Sequence, residues 1–347
     1  MLWGSPTKFQ GGVISKTGAT STLNIASLSN IDRSSLYMQT GATMTLPALT
    51  TYAPASGNEL RADGPGSKLD FSSLTKVDLG AENNYVTLEA YNGGIIDAHN
   101  LSTIAGTSGV GTPIRVQSFG AGSIINLNSL TPAPDTLSLD IRDGATLLLG
   151  AATSLQGATI SKTGAASVFN TTGLTNIDRS SVYAQDGAVI AFPNVHTFAS
   201  ASYSELRADG VGSKLDLTGL NTIDWGSPNN YVYFEAYNGG AINAQNLATI
   251  TGTTVVAQPL RIQAFGADSF VNIKSLAIPA NTLSLDLRDG GSAIWSKPPS
   301  LTGATINMSN GASLDTSALT SFTNGSFTLT NASTNLPLVA SPCAAHE

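Results

Sequence analysis

Residues 60–78 read Leu60-Arg-Ala-Asp-Gly-Pro-Gly-Ser-Lys-Leu-Asp-Phe-Ser-Ser-Leu-Thr-Lys-Val-Asp78. Apolar side chains alternate with polar ones at Leu60 and Ala62, a glycine-rich corner follows, and the alternation resumes at Leu69. Alternation with a period of two, interrupted by glycine, predicts short strands joined by tight turns. No part of the chain keeps apolar residues at helical spacing over three turns, so we expect almost no helix.

This segment is one unit of a repeat that operates at two levels. It returns at residues 206–224, an offset of 146 residues, and within each copy an apolar anchor recurs at intervals of 19 to 29 residues. A period of this size indicates a solenoid, a propeller or an array. We predict one continuous solenoid over residues 1–335 and an irregular tail at 336–347. The solenoid consists of two superrepeats of six coils, residues 10–155 and 156–301, and a partial third at 302–335.

The predicted fold is all-β: a single-stranded parallel β-helix, or β-solenoid, of about 13 coils. Each coil contains two or three short strands, and each strand pairs with its equivalent one coil away, at about 4.8 Å. We expect right-handed winding because parallel crossover connections nearly always have that hand. A leucine-rich-repeat horseshoe is the alternative, since Leu23-Asn-Ile-Ala-Ser-Leu28 fits its pattern. It requires a nearly constant repeat length, which intervals of 19 to 29 residues do not provide.

Composition narrows the class of protein. Charged residues make up only 11% of the 347, and the abundance of small and hydroxyl side chains is typical of secreted bacterial surface proteins, so we expect an extracellular or cell-surface location. The net charge of −7 and the lack of a Lys/Arg cluster argue against nucleic acid. No apolar run approaches the roughly 18 residues of a membrane span, so membrane insertion is not expected.

Two further expectations concern the ends of the chain. The single cysteine, Cys343, lies in the predicted tail, so no disulfide framework or cysteine-based metal site is expected. The first residues do not resemble a signal peptide and begin in the middle of a repeat. We therefore expect either a fragment of a longer protein or a chain whose export signal is missing.

The stacked repeat resembles the right-handed parallel β-helix, or pectin-lyase-like, superfamily, which contains pectate lyases, polygalacturonases and many bacterial surface and adhesin repeats. Its Leu-x-x-Leu-Thr-x-Ile sequence pattern also looks like that of receptor L-type β-helical domains. The resemblance covers nearly the whole chain and rests on the repeat pattern, not on a catalytic motif. It implies contact with polysaccharide, either as a binding protein or as an enzyme.

The two copies can be compared with each other. Of 18 charged residues between positions 14 and 159, 14 recur with the same identity in the second copy. Such retention indicates a constraint, although a recent duplication would produce the same result. His99 and His196 are each replaced in the other copy, so a histidine-based metal or catalytic site has no support.

The retained residues form a predicted strip on one sheet. In segments such as Leu60-Arg-Ala-Asp63 the first and third side chains face the core, and the second and fourth face outward. Stacking of the coils aligns the outward residues in two columns per copy. The first copy has Tyr37, Arg61, Glu89, Gln117, Asp140 beside Gln39, Asp63, Tyr91, Phe119, Arg142; the second has Tyr183, Arg207, Glu235, Gln263, Asp286 beside Gln185, Asp209, Tyr237, Phe265, Arg288.

We interpret the strip as a carbohydrate-binding surface of an adhesin or of a carbohydrate-binding module. Aromatic rings present flat apolar faces to sugars, and charged or amide groups form directional hydrogen bonds with hydroxyls or carboxylates. The candidate ligand-binding residues are those of the columns, without Gln39 and Gln185, together with Arg115 and Arg261. The alternative is a purely structural stalk, in which Arg61 pairs with Glu89, or Asp63 with Arg142, in cross-strand ladders.

An enzyme is the remaining alternative. A polysaccharide lyase or glycoside hydrolase would use Arg61, Asp63, Glu89 and Tyr91, or Arg207, Asp209, Glu235 and Tyr237. Duplication argues against this interpretation, because active sites rarely occur as two equal copies, whereas binding sites gain avidity from duplication.

The expected partner is a polysaccharide or surface glycan, and the open ends of a solenoid also allow end-to-end or lateral self-association. We expect no cofactor and no metal. Calcium at the Asp-Gly corners, such as Asp63-Gly64 and Asp143-Gly144, is the alternative to their simpler role as turn residues.

Overall fold

A computed structural model describes residues 6–80, 83–106, 111, 113–226, 229–252, 257, 259–296 and 300–334. All regular structure in these residues is β-strand, and the strands pair in parallel to form a β-solenoid of about 13 turns. The predicted fold class is therefore confirmed. Coils place strands in two or three sheets, unlike a leucine-rich-repeat horseshoe with its one strand per repeat. The predicted tail at 336–347, including Cys343, lies outside the described residues.

The chain divides into two compact units, Met1–Ile177 and Asp178–Glu347. The division falls about one coil after the predicted superrepeat boundary between residues 155 and 156. The strands of the first unit are β1 (Val13–Thr17), β2 (Ser35–Gln39), β3 (Thr43–Thr45), β4 (Thr51–Tyr52), β5 (Ser56–Asp63), β6 (Lys68–Asp70), β7 (Lys76–Asp78), β8 (Tyr85–Tyr91), β9 (Ile95–Asp97), β10 (Thr103–Ala105), β11 (Ile114–Phe119), β12 (Ile124–Asn126), β13 (Leu137–Arg142), β14 (Thr146–Leu148), β15 (Thr159–Thr163) and β16 (Val168–Phe169).

The second unit contains the remaining strands. They are β17 (Ser181–Gln185), β18 (Val189–Ala191), β19 (Thr197–Ala199), β20 (Ser204–Asp209), β21 (Lys214–Asp216), β22 (Thr222–Asp224), β23 (Val232–Tyr237), β24 (Ala241–Asn243), β25 (Thr249–Thr251), β26 (Leu260–Phe265), β27 (Phe270–Asn272), β28 (Leu283–Arg288), β29 (Ser292–Ile294), β30 (Ser300–Thr302), β31 (Thr305–Ser309), β32 (Ser313–Leu314), β33 (Ser321–Thr323) and β34 (Ser326–Thr330).

Each unit has one sheet of long strands, which we call its front sheet. In the first unit its order is β1-β2-β5-β8-β11-β13-β15, and in the second β17-β20-β23-β26-β28-β31-β34. A second sheet of short strands has the order β16-β14-β12-β9-β6-β3 in the first unit and β18-β21-β24-β27-β29-β32 in the second. Shorter sheets of two or three strands complete the coils, with orders β10-β7-β4, β19-β22-β25 and β30-β33.

The core contains the inward-facing residues of most strands, as the period-two pattern predicts. Leu60 and Ala62 of β5 are buried, as are Val116 of β11 and Leu139 and Ile141 of β13. Alternating burial leaves the intervening side chains on the outer surface of the front sheet. The fold therefore presents the predicted strip residues on one face of each unit.

Buried serines close the corners after the front-sheet strands. Ser67 Oγ donates a hydrogen bond to Asp63 O at 2.6 Å and accepts one from Gly41 N of the preceding coil at 3.0 Å. Ser213 makes the equivalent bonds in the second unit, to Asp209 O at 2.6 Å and from Gly187 N at 2.9 Å. One hydroxyl thus satisfies a corner carbonyl and an amide of the neighbouring coil, which fixes the stacking of coils at this corner.

At two front-sheet corners the residue two positions after the αL asparagine must be glycine, because the backbone of the preceding coil approaches closely. A Cβ atom on Gly94 would lie 2.0 Å from Ala62 O of the preceding coil, and one on Gly240 would lie 2.1 Å from Ala208 O. No side chain of a neighbour can move to relieve this overlap, because the contacted atoms belong to the backbone. The glycine therefore sets how closely consecutive coils approach beside the strip.

Candidate functional site

The strand register confirms both predicted columns in each unit. Tyr37 pairs with Arg61, Arg61 with Glu89, and Glu89 with Gln117, which pairs with Asp140. The same pairings relate Tyr183, Arg207, Glu235, Gln263 and Asp286 in the second unit. The neighbouring columns, which contain Asp63, Tyr91, Phe119 and Arg142 or their equivalents, follow the same strands.

Five of these side chains form a continuous stack in the first unit, which we call ladder 1. The Arg61 guanidinium lies 5.7 Å from the ring centre of Tyr37 and 5.3 Å from that of Tyr91. The rings of Tyr91 and Phe119 stack at 5.1 Å with an interplanar angle of 20°, and the Arg142 guanidinium lies 4.8 Å from the centre of Phe119. The stack therefore runs from ring to cation, to two stacked rings and to a second cation, at distances typical of cation–π and stacking contacts.

The second unit contains the same stack, which we call ladder 2. The Arg207 guanidinium lies 5.8 Å from the ring of Tyr183 and 5.2 Å from that of Tyr237. Tyr237 and Phe265 stack at 5.0 Å and 21°, with the Arg288 guanidinium 4.8 Å from Phe265. The two ladders therefore agree in every stacking contact.

This stacking differs from the expected presentation of the rings. The sequence interpretation assumed that Tyr91 and Phe119 offer their flat faces to a ligand, but in the structure each stacks on the other and on an arginine. The stacked rings run from strand to strand, so the outer surface of a ladder presents ring edges, hydroxyl groups and guanidinium groups. The half-exposed edges of the ladder are therefore the surface available to a ligand.

Ion pairs lie beneath the ladders. In ladder 1 Arg61 donates from Nε to Glu89 and from Nη2 to Glu59 Oε2 at 3.2 Å, and the Glu89 side chain is only 8% exposed. Tyr37 Oη donates to Glu59 Oε2 at 3.0 Å, and Tyr91 Oη donates to Gln117 Oε1 at 2.6 Å. The cross-strand pair of Arg61 with Glu89 is thus confirmed.

The second proposed pair, Asp63 with Arg142, is wrong. Arg142 binds Asp140 of its own strand with two hydrogen bonds, including Nε to Oδ1 at 2.7 Å. Asp63 Oδ1 accepts instead from Asn92 Nδ2 in the corner of the next coil at 2.9 Å. The physical reason is that Tyr91 and Phe119 occupy the two strands between Asp63 and Arg142.

The remaining candidate residues lie beside the ladders. The Arg115 guanidinium lies 4.4 Å from the ring centre of Tyr85, and the Arg261 guanidinium lies 4.8 Å from that of Tyr231. Asp209 repeats the contact of its counterpart by accepting from Asn238 Nδ2 at 2.8 Å. The structure therefore brings most of the predicted site together, and it places the two aspartates in corner contacts.

The carboxyl groups under ladder 2 are more buried than those under ladder 1. The side chains of Glu205 and Glu235 are 7% and 5% exposed, whereas that of Glu59, the counterpart of Glu205, is 35% exposed. Arg207 binds both carboxyls of ladder 2, with Nε 2.7 Å from Glu235 Oε2. Tyr183 Oη donates to Glu205 at 2.7 Å.

This arrangement shifts the pKa values of the two carboxyl groups in opposite directions. Desolvation by burial, followed by the neighbouring Glu205, raises the pKa of Glu235 to about 7 against the opposing effect of Arg207. Burial acts in the same direction on Glu205, but hydrogen bonds with Glu235 and Tyr183 and the charge of Arg207 outweigh it and lower the pKa of Glu205. Near neutral pH the two shifts therefore favour a single proton on the coupled pair, with Glu235 the more readily protonated carboxyl group.

Three tyrosines that were not selected from the sequence lie close to the acid pair of ladder 2. Tyr203, Tyr231 and Tyr233 form a cluster with ring centres 5.4 to 5.7 Å apart, beside Glu205 on the same sheet. Tyr203 and Tyr233 correspond to Gly57 and Thr87 in the first copy. A comparison that retained only residues shared by both copies excluded them. The signal was available, since Tyr233 lies two residues before Glu235 and so faces outward with it.

The described part of the chain contains no group of three or more His, Cys, Asp or Glu side chains placed to hold a metal ion. The corner residues Asp143 and Gly144 have φ values of 55° and 82°, the left-handed conformation that suits tight turns. His99 Nδ1 lies 2.8 Å from Asp97 Oδ1, and His196 Nδ1 lies 3.0 Å from Gly219 O.

Comparisons of the chain with protein-family models, with curated proteins and with solved structures found no match. Within the described residues no helix has the length and apolar character needed to cross a membrane.

Proposed function

We propose that this chain is an extracellular β-helical repeat protein, related to the pectin-lyase-like superfamily, whose ladders bind polysaccharide as an adhesin or as a carbohydrate-binding module. The observation that carries the proposal is the recurrence of the same ring and guanidinium stack, with the same partners, in both units. A role in stability alone does not require that every stacking partner be retained.

The ladders are prepared for binding before a ligand arrives. Stacking and hydrogen bonds hold the arginine and tyrosine side chains, so little side-chain entropy remains to be lost on binding. The outermost guanidinium groups, of Arg142 and Arg288, are 47% and 52% exposed and keep N–H groups directed to solvent beside a phenylalanine ring. Apolar ring edges next to fixed donors and acceptors match the alternating apolar and hydroxyl surface of a sugar chain.

The repetition of the ladder favours a polymer over a small molecule. Rungs recur at the strand spacing of about 4.8 Å, so the surface is periodic along the sheet. A periodic ligand can occupy successive rungs with equivalent contacts. Two ladders on one chain also increase the overall affinity for a polymer that engages both.

A polysaccharide lyase or glycoside hydrolase is the second candidate. The observation that favours it is the Glu205 and Glu235 pair, because a carboxyl group with a pKa near 7 suits a general acid. The side chains of Glu205 and Glu235 are nearly buried beneath ladder 2, which leaves little room for a scissile bond. Release of reducing ends, or of unsaturated products that absorb ultraviolet light, from a bound polysaccharide would support this candidate.

A structural stalk is the third candidate, favoured by the satisfaction of ladder charges within the ladder. The test that separates binding from a stalk is retention on insoluble cellulose, chitin, xylan and cross-linked pectate. We expect the wild-type chain to be retained on at least one of these, and the double variant Tyr91→Ala/Tyr237→Ala to lose at least tenfold in affinity.

A matched control removes charges that are also shared by both copies but lie on the second sheets. Lys68 binds Asp70 at 3.0 Å, and Lys214 binds Asp216 at 2.7 Å. The variant Lys68→Ala/Lys214→Ala should be retained as well as the wild type. Equal retention of the tyrosine variant and the wild type would overturn the proposed role of the ladders.

A further inference from the structure

Two of the three tyrosines in the cluster of the second unit, Tyr203 and Tyr233, have no counterpart tyrosine in the first copy. We propose that Tyr203, Tyr231, Tyr233 and Arg261 form an anchoring subsite for one sugar ring, which stacks on Tyr203 and is hydrogen-bonded by Arg261. This inference rests on the proposed function, since it assigns an additional subsite to the polysaccharide surface of the second unit.

Tyr203 is the exposed member of the cluster. Its residue is 47% exposed, and it is the one aromatic among the large apolar residues of the described chain that are exposed to this degree. Its ring meets Tyr231 at 87° and Tyr233 at 49°, so neither neighbour stacks parallel on it. In contrast to the ladder rings, Tyr203 therefore retains ring surface on which a flat apolar ligand face can stack.

The other two tyrosines support the exposed ring. Tyr231 and Tyr233 contact each other edge to face at 5.7 Å, and both also contact Tyr203. The Arg261 guanidinium lies 4.8 Å from the ring centre of Tyr231 and 5.3 Å from that of Tyr233. A tyrosine has only two side-chain torsions, so an anchor held in this way loses little entropy on binding.

Arg261 supplies the polar part of the subsite. Its Nη1 donates to Tyr233 Oη, and within the described residues its guanidinium forms no ion pair and no second hydrogen bond. A guanidinium has five N–H donors, so several remain for hydroxyl groups of a sugar. Arg207, by comparison, has its donors directed to Glu205 and Glu235.

The first unit cannot build this subsite with its own backbone. The counterpart of Tyr203 is Gly57, which has φ +81°, a conformation that L side chains rarely adopt. A Cβ atom there would also lie 3.2 Å from Tyr85 Oη. The pairing register of β5 with β8 shifts between Ser56 and Asn58, where β5 has a bulge. The backbone is therefore irregular at Gly57. The two units are therefore not equivalent as binding surfaces.

The test uses the full chain in native affinity electrophoresis through gels that contain hydroxyethyl cellulose, xylan or polygalacturonate. On a polysaccharide that retards the wild type, Tyr203→Ala should weaken binding about tenfold, and Tyr203→Phe, which keeps the ring, should remain within about twofold. Val211→Ala, at an exposed position outside the cluster, should bind as the wild type does. Circular dichroism and the unfolding midpoint check that each variant is folded.

Two results would overturn the subsite. If Tyr203→Ala binds as the wild type while Tyr91→Ala/Tyr237→Ala has lost binding, the ladders bind polysaccharide and the tyrosine cluster does not. If the wild type is retarded by none of the three polysaccharides and retained on none of the four insoluble ones, the proposed function fails and the subsite fails with it.

Discussion

Replacement of Arg207 by alanine tests the ion-pair arrangement beneath ladder 2. The substitution removes the guanidinium group that binds Glu205 and Glu235. The same group lies against the rings of Tyr183 and Tyr237, so both rings lose this contact. Breaking a buried ion pair by removing one partner costs about 3 to 5 kcal/mol. Glu235 can take up a proton near neutral pH, which limits the cost of leaving it unpaired. We therefore expect a loss of about 3 kcal/mol, the lower end of that range.

The matched control is Arg288→Ala in the same sheet. Arg288 binds Asp286 of its own strand and is half exposed, so its loss should cost about 1 kcal/mol or less. Urea unfolding gives the two free energies, and hydrogen exchange of β20 and β23 shows whether the loss is local. Adding Glu235→Gln to Arg207→Ala should restore part of the stability. Equal costs for Arg207→Ala and Arg288→Ala, or no restoration by Glu235→Gln, would show that Arg207 does not compensate the buried carboxyl groups of ladder 2.

Three further predictions concern the coil corners, the acid pair and the core. Gly94→Ala should destabilise the chain by about 3 kcal/mol or more, because its Cβ would overlap Ala62 O, whereas Gly111→Ala, with no atom within 4 Å, should change the unfolding midpoint little. The native pKa of Glu235, about 7, exceeds its ordinary value of 4.5, so stability of the second unit should fall as the pH rises between these values, by at most about 1.4 kcal/mol per pH unit. Urea titrations at a series of pH values measure this slope, and a slope that persists in Glu235→Gln would contradict the assignment. Tyr52→Phe, measured by urea unfolding, should cost about 1 to 2 kcal/mol, because the buried Tyr52 hydroxyl donates to Ser34 O at 2.8 Å; an unchanged midpoint would contradict this role.

The columns of the strip could be predicted from the sequence because two periodicities determine them. Alternation along a strand decides which side chains face outward, and equal offsets between coils decide which of them become neighbours. Arg61 beside Glu89 followed directly from these rules. The solenoid fold itself followed from the same alternation and from the repeated anchor positions.

The contacts within the columns could not be predicted in the same way. Arg142 binds Asp140 two residues earlier, because a guanidinium reaches along its own strand as easily as across to the next. The rings of Tyr91 and Phe119 stack on each other, which depends on side-chain torsions that periodicity does not specify. Tyr203 was missed because a comparison of shared residues discards the positions at which the copies differ.

The most direct test of the two-ladder account is the affinity of single and double ladder variants for the polysaccharide that retains the wild type. We predict that Tyr91→Ala alone and Tyr237→Ala alone each weaken retention in part, and that the double variant loses at least tenfold. If both ladders bind polysaccharide, the double variant should lose more affinity than either single variant. A double variant that is folded and binds as tightly as the wild type would contradict the account.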